Sequence, residues 1–121
     1  MKFIGLDVHK TTTQVSVSEK GKEILNCAVP TEREKLRRMI EVIEKPCQIV
    51  VEEGQLADWC KRNLQDLAHR FVVCDPRWNR LVSEAEDKND RVDAYRLGLL
   101  LWMGQIREVY HADIPLQKLK R

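Results

Sequence analysis

Four acidic residues stand where an acid is unusual or is paired with another: Asp7, Glu52, Asp90 and Asp93. Asp7 interrupts the otherwise apolar run Phe3-Ile4-Gly5-Leu6-Asp7-Val8. A carboxylate there costs roughly several kcal/mol of desolvation unless it is paired or holds a cation. Glu52 closes a second apolar run, Ile49-Val50-Val51, shortly before Gly54. Asp90 and Asp93 are spaced i, i+3, which on a helix sets them on one face with Cβ atoms about 5–6 Å apart. Their mutual repulsion is relieved by a divalent cation. Oxygen-only ligands suit a hard ion, Mg²⁺ or Mn²⁺. Two such ions about 3.5–4 Å apart are the usual machinery of phosphodiester chemistry. Each acid also has a plainer reading. Asp7 pairs with Lys10, one of Glu52 and Glu53 is solvated, Asp90 is a first-turn acid favoured by the helix dipole, and Asp93 pairs with Arg91 or Arg96. The set of four in this order outweighs those separate readings.

The elements that must position these acids follow from periodicity. Residues 2–8 form a strand. Residues 13–18 alternate, with Val15 and Val17 on one face, and residues 23–29 form a third strand after the turn Glu19-Lys20-Gly21-Lys22. Short links favour an antiparallel meander. The period then changes: Leu36, Met39, Ile40 and Ile43 mark an amphipathic helix over 31–44, with Thr31 and Glu34 as a capping box. Residues 47–52 return to a strand apolar enough to be covered on both faces. A helix over 55–68, a strand over 70–74, a polar loop over 84–90 and an apolar helix over 90–103 follow. The order βββαβαβα predicts an α/β fold: a mixed five-stranded sheet in order 3-2-1-4-5 with helices on both faces. First and fourth strands as neighbours bring Asp7 and Glu52 to one end of the sheet.

Composition narrows the partners. The 121 residues make one domain, with 21 Lys+Arg against 19 Asp+Glu and a net charge of +2. Near balance excludes nucleic-acid binding by bulk charge, so any such contact comes from a local patch. Lys10, Arg77, Asn79, Arg80, Lys88 and Arg91 are the candidates for it, with Trp78 as a face for a base or, more simply, a core edge. The four cysteines, at 27, 47, 60 and 74, form no CxxC pair, so free thiols in a reducing, cytoplasmic compartment are expected rather than zinc. The N-terminus does not read as a signal peptide, and no run of about 18 apolar residues offers a membrane span.

Four stretches together resemble a known family: Ile4-Gly5-Leu6-Asp7-Val8-His9-Lys10, Val51-Glu52-Glu53-Gly54, Val73-Cys74-Asp75-Pro76-Arg77-Trp78-Asn79-Arg80, and Asp87-Lys88-Asn89-Asp90-Arg91-Val92-Asp93-Ala94. They are similar to the RuvC-like DEDD domain of the transposases of insertion sequence IS-one-hundred-and-ten, the bridge-RNA-guided recombinases. Tyr110-His111 also resembles the segment that closes that domain. The resemblance implies an RNase H-like fold, Asp7, Glu52, Asp90 and Asp93 as a metal-binding catalytic tetrad, Mg²⁺ or Mn²⁺ as cofactor, and DNA strand exchange as the parent activity. DNA, a guide RNA and further copies of the chain are the implied partners. The family's E-x-T-G is E-E-G here, which leaves both Glu52 and Glu53 as candidates for the tetrad glutamate, with Glu52 preferred because it ends the strand. The expected division is a catalytic domain over 1–104 and, over 105–121, the start of a connection to a serine-bearing domain. No serine in the sequence matches that nucleophile, so the chain reads as truncated and is expected to be inactive alone.

Two other classes compete. A nucleic-acid-binding or dimerisation module without chemistry needs the same fold and no metal. Another RNase H-like nuclease or resolvase needs the metal without the second domain. An actin-like phosphotransferase is excluded, because its phosphate loop requires glycine where Val8, His9 and Lys10 stand.

Overall fold

The computed structural model describes residues 1–77 and 90–109, with only the backbone described at 90–92. Five strands, β1 (Lys2–Val8), β2 (Thr12–Glu19), β3 (Lys22–Pro30), β4 (Cys47–Glu52) and β5 (Arg70–Cys74), form one sheet in the order β3-β2-β1-β4-β5. The first three are antiparallel; β4 runs parallel to both β1 and β5. Among the described residues the helices are α1 (Arg33–Glu41), α2 (Ala57–Leu64) and α3 (Asp90–Trp102). This is the mixed α/β sheet that periodicity predicts, consistent with an RNase H-like fold.

Strand alternation sorts the side chains onto two different faces. On one face Ile4 and Leu6 of β1, Val15 and Val17 of β2, and Ile49 and Val51 of β4 pack with Leu36 and Ile40 of α1 and Cys60 and Leu64 of α2. The other face carries Val50, Val72 and Cys74, which pack with Leu97 and Leu101 of α3. The same face of β2 is polar: Gln14, Ser16 and Ser18 are buried there. Ser16 Oγ donates to Glu23 Oε2 at 2.6 Å and Gln14 Nε2 to Asn26 Oδ1 at 2.7 Å, so these two find partners on β3.

Glycine sets how closely α3 approaches. A Cβ built on Gly5 would lie 1.9 Å from the Ala94 carbonyl oxygen and 3.0 Å from the Gly98 nitrogen. Only a residue without a side chain lets the helix backbone rest on β1. Trp102 packs on Gly21 at the far end, where Lys20 and Gly21 both have positive φ (53° and 82°) and make the tight β2–β3 turn. Tyr95 Oη donates to the Gly21 carbonyl at 2.6 Å.

The helix ends differ from the periodicity reading. Helix α1 begins at Arg33, not at 31, and Glu32 takes the N-cap position without a side-chain cap bond. The Thr31–Glu34 capping box does not form, because the Thr31 hydroxyl is bonded to the β1–β2 turn instead. Helix α2 spans 57–64 rather than 55–68, its last turn tightening into a 3₁₀ turn over Gln65–Leu67. After α3, Val109 N donates to the Val73 carbonyl (2.7 Å) and Asp75 N to that of Arg107 (2.9 Å), so the chain returns along the outer edge of β5.

Candidate metal and nucleic-acid site

The parallel register pairs Gly5 with Val50 and Leu6 with Val51. One step further along both strands stand Asp7 and Glu52, on neighbouring strands about 4.8 Å apart. Alternation decides their face. Gly5 faces Ala94, and Val50 packs with Leu97, so Asp7 and Glu52, each two residues on, share the α3 side of the sheet. Glu53 lies past the strand, where its backbone N–H donates to the Cys74 carbonyl at 2.9 Å. Glu52, not Glu53, is therefore the one beside Asp7.

Helix α3 runs antiparallel to β1 with its start over this end of the sheet. Gly98 lies against the Phe3 carbonyl and Ala94 against Gly5. One helical turn of four residues advances about 6 Å, and two strand residues about 6.6 Å. The next step back along the helix brings the turn that begins at Asp90 to the level of Asp7. Asp93 is half-buried, four residues before Leu97, on the side of α3 that packs over β4 and β5. The Asp90 side chain lies outside the described residues.

Between the ends of β1 and β4 opens a cleft of about 530 Å³, with Asp7, His9, Lys10, Glu52, Glu53 and Gly54 in its walls. A crevice at the carboxyl ends of parallel strands, where neighbouring connections diverge, is where open α/β sheets bind ligands. The Asp7 side chain is 18% exposed, and its Oδ2 lies 3.0 Å from His9 Nε2. The plainer reading of Asp7 named Lys10 as its partner; the contact here is with His9. Among the described residues no three His, Cys, Asp or Glu side chains converge as a ready metal cluster.

The basic candidates separate. Lys10 is exposed in the cleft wall. Arg77 follows Pro76 in the helical turn that Pro76 begins, and its guanidinium reaches Asp75, with Nε to Oδ1 at 3.3 Å. That contact, together with the Arg77 backbone N–H donating to the same oxygen at 2.9 Å, holds the Asp75 carboxyl below the usual carboxylate range. Trp78, Asn79, Arg80 and Lys88 lie outside the described residues, as does the Arg91 side chain. All four cysteines are free, and burial pushes the Cys60 thiol up to about 12. No helix among the described residues is long and apolar enough to cross a membrane.

Three residues at this end escape a reading based on acids and bases. His9 follows Asp7 at i+2, the spacing that puts two strand residues on one side, which is the signal that could have found it. Gly5 shows its close contact only once α3 is in place. Thr31 looks like a helix cap in sequence and is none.

Compared with known families, residues 4–121 match the sequence model of a family described as transposase, of the DEDD type of insertion sequence IS110. No curated protein matches the chain.

Proposed function

The chain belongs to that DEDD transposase family, and we propose that Asp7, Glu52, Asp90 and Asp93 form a carboxylate tetrad that holds Mg²⁺ or Mn²⁺ and acts on DNA phosphodiesters. In the assembled protein a guide RNA selects the DNA and several copies of the chain cooperate. One observation carries the reading: Asp7, next to last in β1, and Glu52, last in β4, stand on adjacent parallel strands on the face that the first turn of α3 covers.

The donor set fits a hard divalent ion. Two carboxylates on neighbouring strands repel one another at short range, and a cation between them removes that cost. The third and fourth donors come from the first turn of α3. When bound, the metal neutralises charge and polarises the scissile phosphate. The chain's own residues do the rest. Lys10 binds a phosphate at the mouth of the cleft, His9 holds one oxygen of Asp7, and Gly5 keeps α3 close enough for its acids to contribute.

A nucleic-acid-binding or dimerisation module without chemistry, built on the same fold, is the second reading. Calorimetric titration of the 121-residue chain with Mn²⁺ separates the two. Saturable binding lost in Asp7→Asn and Glu52→Gln but kept in Glu53→Gln is expected of the tetrad. Silence in the parent chain favours the module.

A further inference from the structure

The turn between β1 and β2, His9-Lys10-Thr11, forms one wall of the cleft. At its root the His9 N–H donates to the Thr12 carbonyl at 3.1 Å, and the His9 ring lies 3.0 Å from Asp7. An exposed hairpin tip tied only at the root samples many conformations, and a lysine on it presents its charge diffusely. Here the tip is held from outside. Thr31 Oγ1 donates to the His9 carbonyl at 2.7 Å, and Thr31 N–H donates to the Thr11 carbonyl at 2.9 Å. The carbonyls of the two residues on either side of Lys10, His9 and Thr11, are therefore both held by one residue from the start of the β3–α1 connection.

The hydroxyl chemistry fixes the direction of this clamp. Thr31 Oγ1 has a single hydrogen, spent on the His9 carbonyl. The 2.8 Å contact with Thr13 Oγ1 must then run from the buried Thr13 hydroxyl to Thr31. Thr13 anchors Thr31, and Thr31 anchors the turn. The same commitment explains why Thr31 leaves the N-cap of α1 to Glu32, which makes no side-chain cap bond.

We propose that Thr31 is a positioning residue for nucleic-acid binding in this cleft, clamping the His9–Thr11 turn so that Lys10 is presented to a phosphate. The inference rests on the reading of the cleft as a DNA site. Thr31 itself touches no nucleic acid; it lowers the freedom that the turn loses when Lys10 makes its contact.

The test uses the 121-residue chain and a short fluorescein-labelled DNA duplex, with affinity read by anisotropy across a series of NaCl concentrations in the presence of Mn²⁺. Each phosphate contact contributes about 0.9 to the slope of log affinity against log salt. Lys10→Ala is expected to lower the slope by about one contact. Thr31→Val should lower it by most of that amount, Thr31→Ser should restore it, and adding Thr31→Val to Lys10→Ala should change nothing further. A Thr31 effect that adds to that of Lys10, or a Thr31→Val slope equal to the parent's while Lys10→Ala lowers it, overturns this inference alone. No binding by the parent chain, or no effect of Lys10→Ala, overturns the DNA reading and this inference with it. Should Thr31→Val not fold, Thr31→Ala is read in its place. Failure of both to fold makes Thr31 a purely structural residue and also overturns the proposal.

Discussion

The two faces of the sheet are built from the same strands and obey opposite rules. Toward α1 and α2, β1 presents Ile4 and Leu6, and β4 presents Ile49 and Val51, all buried in one apolar cluster. Toward α3 the intervening residues include Gly5 and Asp7 on β1 and Gln48 and Glu52 on β4, with Gln14, Ser16 and Ser18 on β2. The first face gains its stability from close-packed hydrocarbon. The second keeps a smaller apolar cluster, Val50, Val72 and Cys74 against Leu97 and Leu101, and elsewhere buries glutamine and serine, which contribute less apolar area, while Asp7 and Glu52 leave the cleft end polar. Because alternation has a period of two, one strand serves both purposes with no extra chain. A site on such a strand inherits the rigidity of the apolar face behind it.

The sharpest break in this division comes at Gly5. The Ala94 carbonyl that a Cβ would strike belongs to helix backbone, so it has no rotamer to escape into. Gly5→Ala is expected to destabilise the chain by about 3 kcal/mol or more and to abolish Mn²⁺ binding, because α3 must lift from β1. Urea unfolding and calorimetry measure the two losses. Asp7→Asn separates function from stability on the same strand. Mn²⁺ binding should vanish, while the melting temperature in EDTA stays level or rises as repulsion from Glu52 is relieved. The parent chain should gain about 2.7 kcal/mol at a metal concentration one hundred times Kd, and the variant nothing. A clear fall in melting temperature for Asp7→Asn without metal would mean that Asp7 is structural.

On the apolar face the effects reverse. Ile49→Val removes one buried methylene from a fully enclosed side chain, with an expected cost of about 0.5–1.5 kcal/mol. Mn²⁺ affinity should be unchanged within error, since Ile49 points away from α3. A parallel loss of metal affinity would show that the faces are coupled through strand geometry rather than merely back to back.

How much of this could be read from the sequence differs between the faces for a physical reason. Strands 2–8, 47–52 and 70–74 begin and end where periodicity predicts, because apolar alternation is a local signal that the core enforces. The sheet order follows from the change of period and from the handedness of crossovers. The neighbouring strand ends of Asp7 and Glu52 were legible for the same reason. What was not legible depends on contacts between distant segments. Thr31 and Glu34 have capping-box spacing, yet the Thr31 hydroxyl goes to His9 O, twenty-two residues away in sequence. The preference for Glu52 over Glu53 rests in the sequence on its place at the strand end; the register of β4 against β1 adds that Glu52 stands beside Asp7. His9 has only its i+2 spacing from Asp7 as a signal in the sequence, and its role shows once its ring lies 3.0 Å from that carboxylate.

The smallest expected effect tests the apolar face from its rim. Arg37 of α1 donates through Nη1 and Nη2 to the two Asp66 oxygens at 2.7 and 2.9 Å, and through Nη1 to the Asn63 carbonyl, tying α1 to the end of α2. The guanidinium holds the Asp66 carboxyl below its ordinary value of 3.8. A depressed folded-state pKa means that the pairing stabilises the fold above the ordinary carboxylate value, and that this contribution is lost as pH falls through the depressed value. The Asp66 side chain is 61% exposed, so the stabilisation is small and weakened by salt. Asp66→Asn should therefore lower the melting temperature slightly at neutral pH. The gap to the parent chain should narrow below about pH 4 and close once Asp66 is protonated in both states. Thermal melts from pH 7 down to pH 2, at low and high NaCl, measure it. The gap should shrink with salt at neutral pH, and Mn²⁺ affinity at neutral pH should match the parent's, because the pair braces the helices on the face that carries no ligand. A gap that stays constant through the acid range would show that the Asn63 carbonyl and the Arg37 stem, not the ion pair, hold the two helices together.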